Sequence, residues 1–288
     1  MSATSTLTTL RPTVQRPTTG PLRAGNASAF ATLVRRRLLL SARTPREILV
    51  PLLTPVLFAL VIAPALDSIG PSVPGLDYMS FAAIGTAGLL IPLNCLFAGI
   101  GALLDRETGA RRDLLAAPIA RPLIVLANLV VALAVTAMQV VVLIAAAVLR
   151  GADLHVSASG VVWFATAALL LAVGMYGVAE TLANRIASVE EFTGALPALA
   201  IVPYFFAGSL FPINALPEAL TAFAKVLPLT HTLALMRYGL LGNESGLHDI
   251  WGMTNGTTMA VLSLGVLAAF AAVLTTVAIR TFTHAAVN

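Results

Sequence analysis

The sequence predicts an all-α integral membrane protein with six transmembrane helices, and three observations carry that prediction. Apolar residues make up 58% of the chain and charged residues only 10%, with a mean hydropathy of +0.91, whereas a soluble domain carries about 25% charged residues. The charges are gathered between six charge-free windows, Ile48–Leu66, Tyr78–Leu104, Pro122–Leu149, Val156–Ala179, Phe192–Pro217 and Ile250–Ile279. Arg and Lys fall almost wholly on one side of the alternation those windows impose. With 288 residues given mostly to membrane helix, no separate soluble catalytic domain is expected.

Residues 1–25 are rich in Thr, Pro and Arg and hold no apolar run. A secretory signal needs one, so this stretch reads as a disordered basic tail on the cytoplasmic side. Residues 26–46 read as an interfacial amphipathic helix centred on Ser28–Ser41. Phe30, Leu33, Val34, Leu38 and Leu40 give it an apolar side, and Arg35, Arg36 and Arg37 can snorkel toward lipid phosphates. The region 47–288 then forms the transmembrane domain. The six windows contain 19, 27, 28, 24, 26 and 30 residues, and about 20 helical residues cross a hydrocarbon layer of roughly 30 Å. The helices are expected at about 48–66, 78–104, 122–149, 156–180, 192–212 and 252–279. Pro51, Pro55 and Pro64 lie in the first window, which is tolerable where neighbouring helices re-satisfy the backbone.

If the amino terminus is inside, 14 of the 17 Lys and Arg residues lie on the inner side, and only Arg150, Lys225 and Arg237 lie outside. The acidic residues divide seven to six. That is the positive-inside pattern, with both termini cytoplasmic. The second and third windows are joined on the inner side by Asp105–Pro122, DRETGARRDLLAAPIARP, which packs seven charges into eighteen positions. Its polar start, followed by Leu114, Leu115 and Ile119 at helical spacing, reads as a short amphipathic helix at the membrane surface, available to a partner. Outside, residues 214–242 read as a pair of interfacial or re-entrant helices. In the first, Leu216, Leu220, Phe223 and Leu227 keep one face while Glu218, Thr221 and Lys225 take another; the second has Thr230 at its N-cap and Gly242 past its end.

DRETGARRDLLAAPIARPLIVLANLV resembles the "E-R-E-x-G … L-L-x-x-P-[IV]-x-R" region of ABC-2-type exporter permeases. PYFFAGSLFPINALPEALTAFAKVLPLTHTLALMRYGLLG resembles their carboxy-terminal pattern, "F-x-S-G-x-x-F-P … L-P … P-L-[TS]" followed by a helix carrying an Arg. The pattern is most similar to the daunorubicin-resistance-type and nodulation-factor-type permeases. Asp105 replaces the usual Glu, and Ala207-Gly208 replaces Ser-Gly.

The resemblance implies a permease subunit that pairs with a second copy as a homodimer, or with a similar second permease, and is driven by two cytosolic ABC ATPase subunits, on which ATP and Mg are bound. It implies that the loop between the second and third helices is the coupling helix, so that Asp105, Arg106, Glu107, Gly109, Arg111 and Arg112 engage the ATPase. It also implies a substrate path along the second and fifth helices, with Asn94, Tyr204, Phe205 and Phe206 as candidate lining. The cargo would be an amphipathic drug, a lipid-linked molecule or a secondary metabolite, as in antibiotic resistance and multidrug efflux.

The chain carries no P-loop of its own. GxxxxGK[ST] needs a lysine reaching the phosphates, and the single lysine, Lys225, sits in TAFAKVL on the outer side. An ion-gradient-driven secondary transporter is the alternative, and it needs an ionisable group at membrane depth. Glu180 is the candidate, and it falls at the cytoplasmic end of the fourth window. An intramembrane enzyme is a third reading, resting on Ser209, but His155, His231, His248 and His284 all fall in connectors, interfacial segments or the tail. His231 reads as an interfacial histidine. No metal or cofactor site and no nucleic-acid partner are expected on this chain, and the lone Cys95 reads as a small buried residue. The arginine-rich, lysine-poor composition places the protein in a bacterial cytoplasmic membrane, so Asn243-Glu-Ser and Asn255-Gly-Thr read as chance matches to a glycosylation pattern.

Overall fold

The computed structural model describes residues 25–43, 45, 49, 52, 53, 56, 57, 60, 61 and 78–285. The expected basic tail and most of the window Ile48–Leu66 lie outside the described residues. What remains is helical: α1 (Asn26–Arg43), α2 (Tyr78–Glu107), α3 (Ala110–Ala116), α4 (Pro122–Leu149), α5 (Ala158–Ala183), α6 (Val189–Phe206), α7 (Glu218–Val226), α8 (Pro228–Leu241), α9 (Ser245–Trp251) and α10 (Gly256–Ala285), with a 3-10 turn at Ile213–Ala215. Five of these, α2, α4, α5, α6 and α10, are long and apolar enough to cross a membrane, and α7 with α8 could together make a sixth, bent span.

The centre of the bundle is α2, whose residues Met79–Pro92 are buried without a break. A helix apolar all round belongs inside, and α2 packs on α4, α5, α6 and α8. By contrast α4 and α10 keep broad faces of exposed Val, Leu and Met, such as Val141 and Val273, as lipid-facing helices should. Close crossings use glycine. A Cβ on Gly160 would stand 2.1 Å from the Gly239 carbonyl oxygen, and one on Gly177 would press on the α10 backbone at Leu274. Small residues let helix backbones approach where lipid supplies no hydrophobic drive between them.

Several boundaries differ from the expected ones for local reasons. The fifth transmembrane helix ends at Phe206 rather than near 212, because Gly208 turns the chain with φ +78°. The helix pair expected at 214–242 is present, bent by 80° at Leu227, but Thr230 is not the cap of its second helix. Leu227 is, with Pro228 at the first helical position, where its missing N–H costs nothing. Only α7 is a surface helix, with Leu220, Phe223 and Val226 exposed; α8 is buried along nearly its whole length.

Helix α9 was not legible as a helix. Its start is an Asn turn, the Ser245 N–H donating to Asn243 Oδ1 at 2.8 Å, and its stop is Gly252 at φ +66°. Likewise the Thr258 N–H donates to Asn255 Oδ1 at 3.0 Å. Both glycosylation-like triplets are helix starts.

Candidate functional site

The bundle has two ends. At one, α2 finishes beside the α5–α6 connector and the end of α10; at the other, the start of α2 meets the α4–α5 connector and the segment 207–252. The first end gathers Arg35–Arg37, Arg106, Arg111, Arg112, Arg121 and Arg280 and holds the turn expected to serve as the coupling element.

That turn is not one amphipathic helix. The membrane helix α2 runs on through Asp105, Arg106 and Glu107, and the Thr108 N–H still bonds the Leu104 carbonyl at 2.9 Å. Gly109 then breaks it at φ +81°, a left-handed conformation natural only to glycine. Seven residues of α3 follow, and the extended Ala117 and Pro118 return the chain to α4.

The six residues assigned to this turn divide into three groups. Asp105 receives both terminal nitrogens of Arg36 from α1, at 3.0 and 3.3 Å; it is the only ion pair among the described residues. Arg36 thus pairs with a protein carboxylate, tying α1 to the turn. Its neighbour Arg37 is buried, donating to the Ala98 carbonyl, and fits because Gly101 has no Cβ: one there would lie 1.8 Å from the guanidinium.

Arg106 and Arg111 face inward. Arg106 donates to the carbonyls of Ala183, Ile186 and Ala187 at 2.8, 2.5 and 3.0 Å, taking up the last carbonyl of α5 and two in the α5–α6 connector. Arg111 is only 9% exposed. It donates to Asn184 Oδ1 at 2.7 Å and the Phe282 carbonyl at 3.3 Å, and its guanidinium stands 4.4 Å from the centre of the Phe282 ring. Burial pulls its pKa below the usual arginine range, with Glu180 acting the other way and Arg106 adding to the depression.

Glu180 is the hub behind them. It is 1% exposed and accepts from the Tyr176 hydroxyl at 2.9 Å and from Asn184 Nδ2 at 3.2 Å. Arg37 and Arg111 both act on it electrostatically, so α1 and α3 share one buried carboxylate.

Only Glu107, Gly109 and Arg112 remain of the six, joined by Thr108 and Asp113. Glu107, Thr108, Arg112 and Asp113 are exposed and Gly109 half-buried. They form a crest of mixed charge held by the inward-facing arginines beneath it.

The four residues assigned to a substrate path do not share one surface. Asn94 is buried, its amide donating to the Thr136 hydroxyl of α4, and Thr136 in turn bonds the Ala132 carbonyl. Tyr204 is buried, edge-on to Phe205 at 5.6 Å. Phe205 is 49% exposed on the bundle surface, and Phe206 packs against Phe223 of α7 at 5.9 Å.

Sequence reasoning missed what the Arg in the last pattern does. Arg237 is buried and donates to the carbonyls of Gly208, Ser209 and Phe81 at 2.7, 3.0 and 3.3 Å, with its guanidinium 3.4 Å from the centre of the Phe81 ring. Gly85 completes the seat, since a Cβ there would stand 2.2 Å from the Ser209 oxygen. The A-G-S-L-F-P loop is thus tied to α2 and α8 by one cation. His231, expected at an interface, is a core link instead: its ring nitrogens lie 3.1 Å from Ser263 Oγ and 3.0 Å from the Lys225 carbonyl. Ser209 is fully buried in that loop, and Cys95 is buried against the Ala172 carbonyl.

A family model described as ABC-2 type transporter matches residues 28–241. No curated protein matches the chain.

Proposed function

The chain belongs to the ABC-2 type transporter family, and we propose that it is the permease subunit of an exporter powered by two separate cytosolic ABC ATPase subunits. It works as a homodimer in a bacterial cytoplasmic membrane, with both termini in the cytoplasm. The crest Glu107–Asp113 seats in a groove of the ATPase, whose own site binds ATP and Mg. Closure of the ATPase dimer pushes this crest. Arg106 and Arg111 carry the displacement into the end of α5 and, through Phe282, into α10, while the Arg36–Asp105 pair takes α1 along. The permease dimer interface then opens to an amphipathic cargo.

One observation carries this reading. The turn's inward arginines are consumed by protein carbonyls and Asn184, leaving an exposed, mixed-charge crest on a rigid mount. An ion-gradient transporter would need Glu180 open to an ion pathway, whereas Glu180 is bonded to Tyr176 and Asn184.

The test is reconstitution. The chain in proteoliposomes is expected to move no amphiphile uphill by itself under an imposed proton or sodium gradient, and to do so with ATP once its copurifying ATPase is added. Uphill transport by the chain alone would overturn the reading.

A further inference from the structure

The end of the bundle away from the crest carries a groove of about 510 Å³ between the start of α5 and the end of α8, lined by His155, Ser157, Ser159, Trp163, Tyr238 and Glu244. Its floor is the Gly160–Gly239 crossing, where the two backbones meet without side chains between them. None of its residues belongs to the crest or to the network behind it.

Its chemistry is selective. Trp163 and Tyr238 stand edge to face, centroids 5.8 Å apart at 71°, so two aromatic rings with steeply inclined planes belong to the groove's lining. Glu244 is exposed and, among the described residues, pairs with no Lys, Arg or His. Its carboxylate rests in the space left by Gly256 at the start of α10; a Cβ there would lie 2.2 Å from Oε1. Ser157 is already committed to capping α5, accepting from the Gly160 N–H at 3.0 Å. A carboxylate that lines the same groove as two aromatic rings attracts a cation through charge and ring quadrupole together, and repels an anion. Just along α5 from Ser159, Val161 and Val162 are 43% and 64% exposed, an apolar track continuing from the polar corner into the membrane-facing surface.

We propose that this groove binds the ammonium head of an amphiphile, a primary or quaternary amine carried on an apolar tail. The chemistry is shared by an ammonium-headed lipid and by a cationic amphiphilic cargo. The site stands independently of ATPase coupling.

The experiment titrates hexyltrimethylammonium onto the full chain in phosphatidylglycerol nanodiscs and follows tryptophan fluorescence, with hexyl sulfate and hexyl glucoside as controls. Saturable binding of the ammonium alone is expected. Glu244→Gln should weaken it at least tenfold, and Trp163→Leu should abolish the fluorescence change. Gly256→Ala keeps every charge but displaces the Glu244 carboxylate, and should also weaken binding. Should Trp163→Leu fold poorly, the other two variants still decide. Equal binding of the sulfate or glucoside, or wild-type affinity in Glu244→Gln, would overturn the proposal. Adding phosphatidylethanolamine to the nanodiscs separates the sources: competition identifies the lipid head as occupant, and unchanged affinity assigns the groove to an ammonium-bearing cargo.

Discussion

Replacing Arg237 with Met is expected to destabilise the protein more than any other single change at its end of the bundle. Met keeps an unbranched apolar stem but ends short of the guanidinium, so everything that the buried tip of Arg237 touches is lost. Three carbonyls, of Phe81, Gly208 and Ser209, lose the cation that they share, and hydrogen bonds to charged groups contribute about 1.5–3 kcal/mol each. Removing the guanidinium also removes its own desolvation cost, which offsets part of that sum. A net loss of about 3 kcal/mol is expected, seen as a thermal midpoint lower by about 10 °C in detergent. Arg237→Lys should fall between the two, because a point ammonium cannot reach three carbonyls in a fixed fork. A midpoint unchanged in Arg237→Met would show that the loop is held by other contacts.

The second large effect separates two neighbouring arginines that look equivalent in the sequence. Arg111→Glu sets a carboxylate beside Glu180 and strips Asn184 and Phe282 of their donor. About 3 kcal/mol or more should be lost, with low membrane yield and broadened size-exclusion profiles. Arg112→Glu changes an exposed residue and should leave yield and thermal midpoint within about 0.5 kcal/mol of wild type. Equal stability of the two variants would contradict the division of the turn into an inward mount and an outward crest.

That division marks where sequence reading stops. Long charge-free windows reveal membrane helices because length and apolarity alone decide whether a segment can span, and α2, α4, α5, α6 and α10 appear where those windows stand. The charged turn was visible for the converse reason. Its internal structure was not: a run such as DRETGARRD fixes how many charges there are, but which of them turn inward depends on where Gly109 breaks the helix and on the acceptors, Ala183 O and Asn184 Oδ1, that the end of α5 presents some 75 positions later. Arg237 shows the same limit. Its positive charge counted as an outer-side residue, yet its three partners come from segments up to 156 positions away. The start of helix α8 was misread because Thr230 resembles a cap, while Pro228 two positions earlier is the stronger start, and its burial depends on α2 and α5, against which it packs.

The most direct measurement is copurification of the ATPase with a permease carrying Glu107→Lys and Arg112→Glu together. Both side chains are exposed and neither supports the fold. The account predicts normal insertion and an unchanged thermal midpoint, with at least tenfold less ATPase recovered than with the wild-type chain. Full recovery of ATPase by a stable double variant would contradict it.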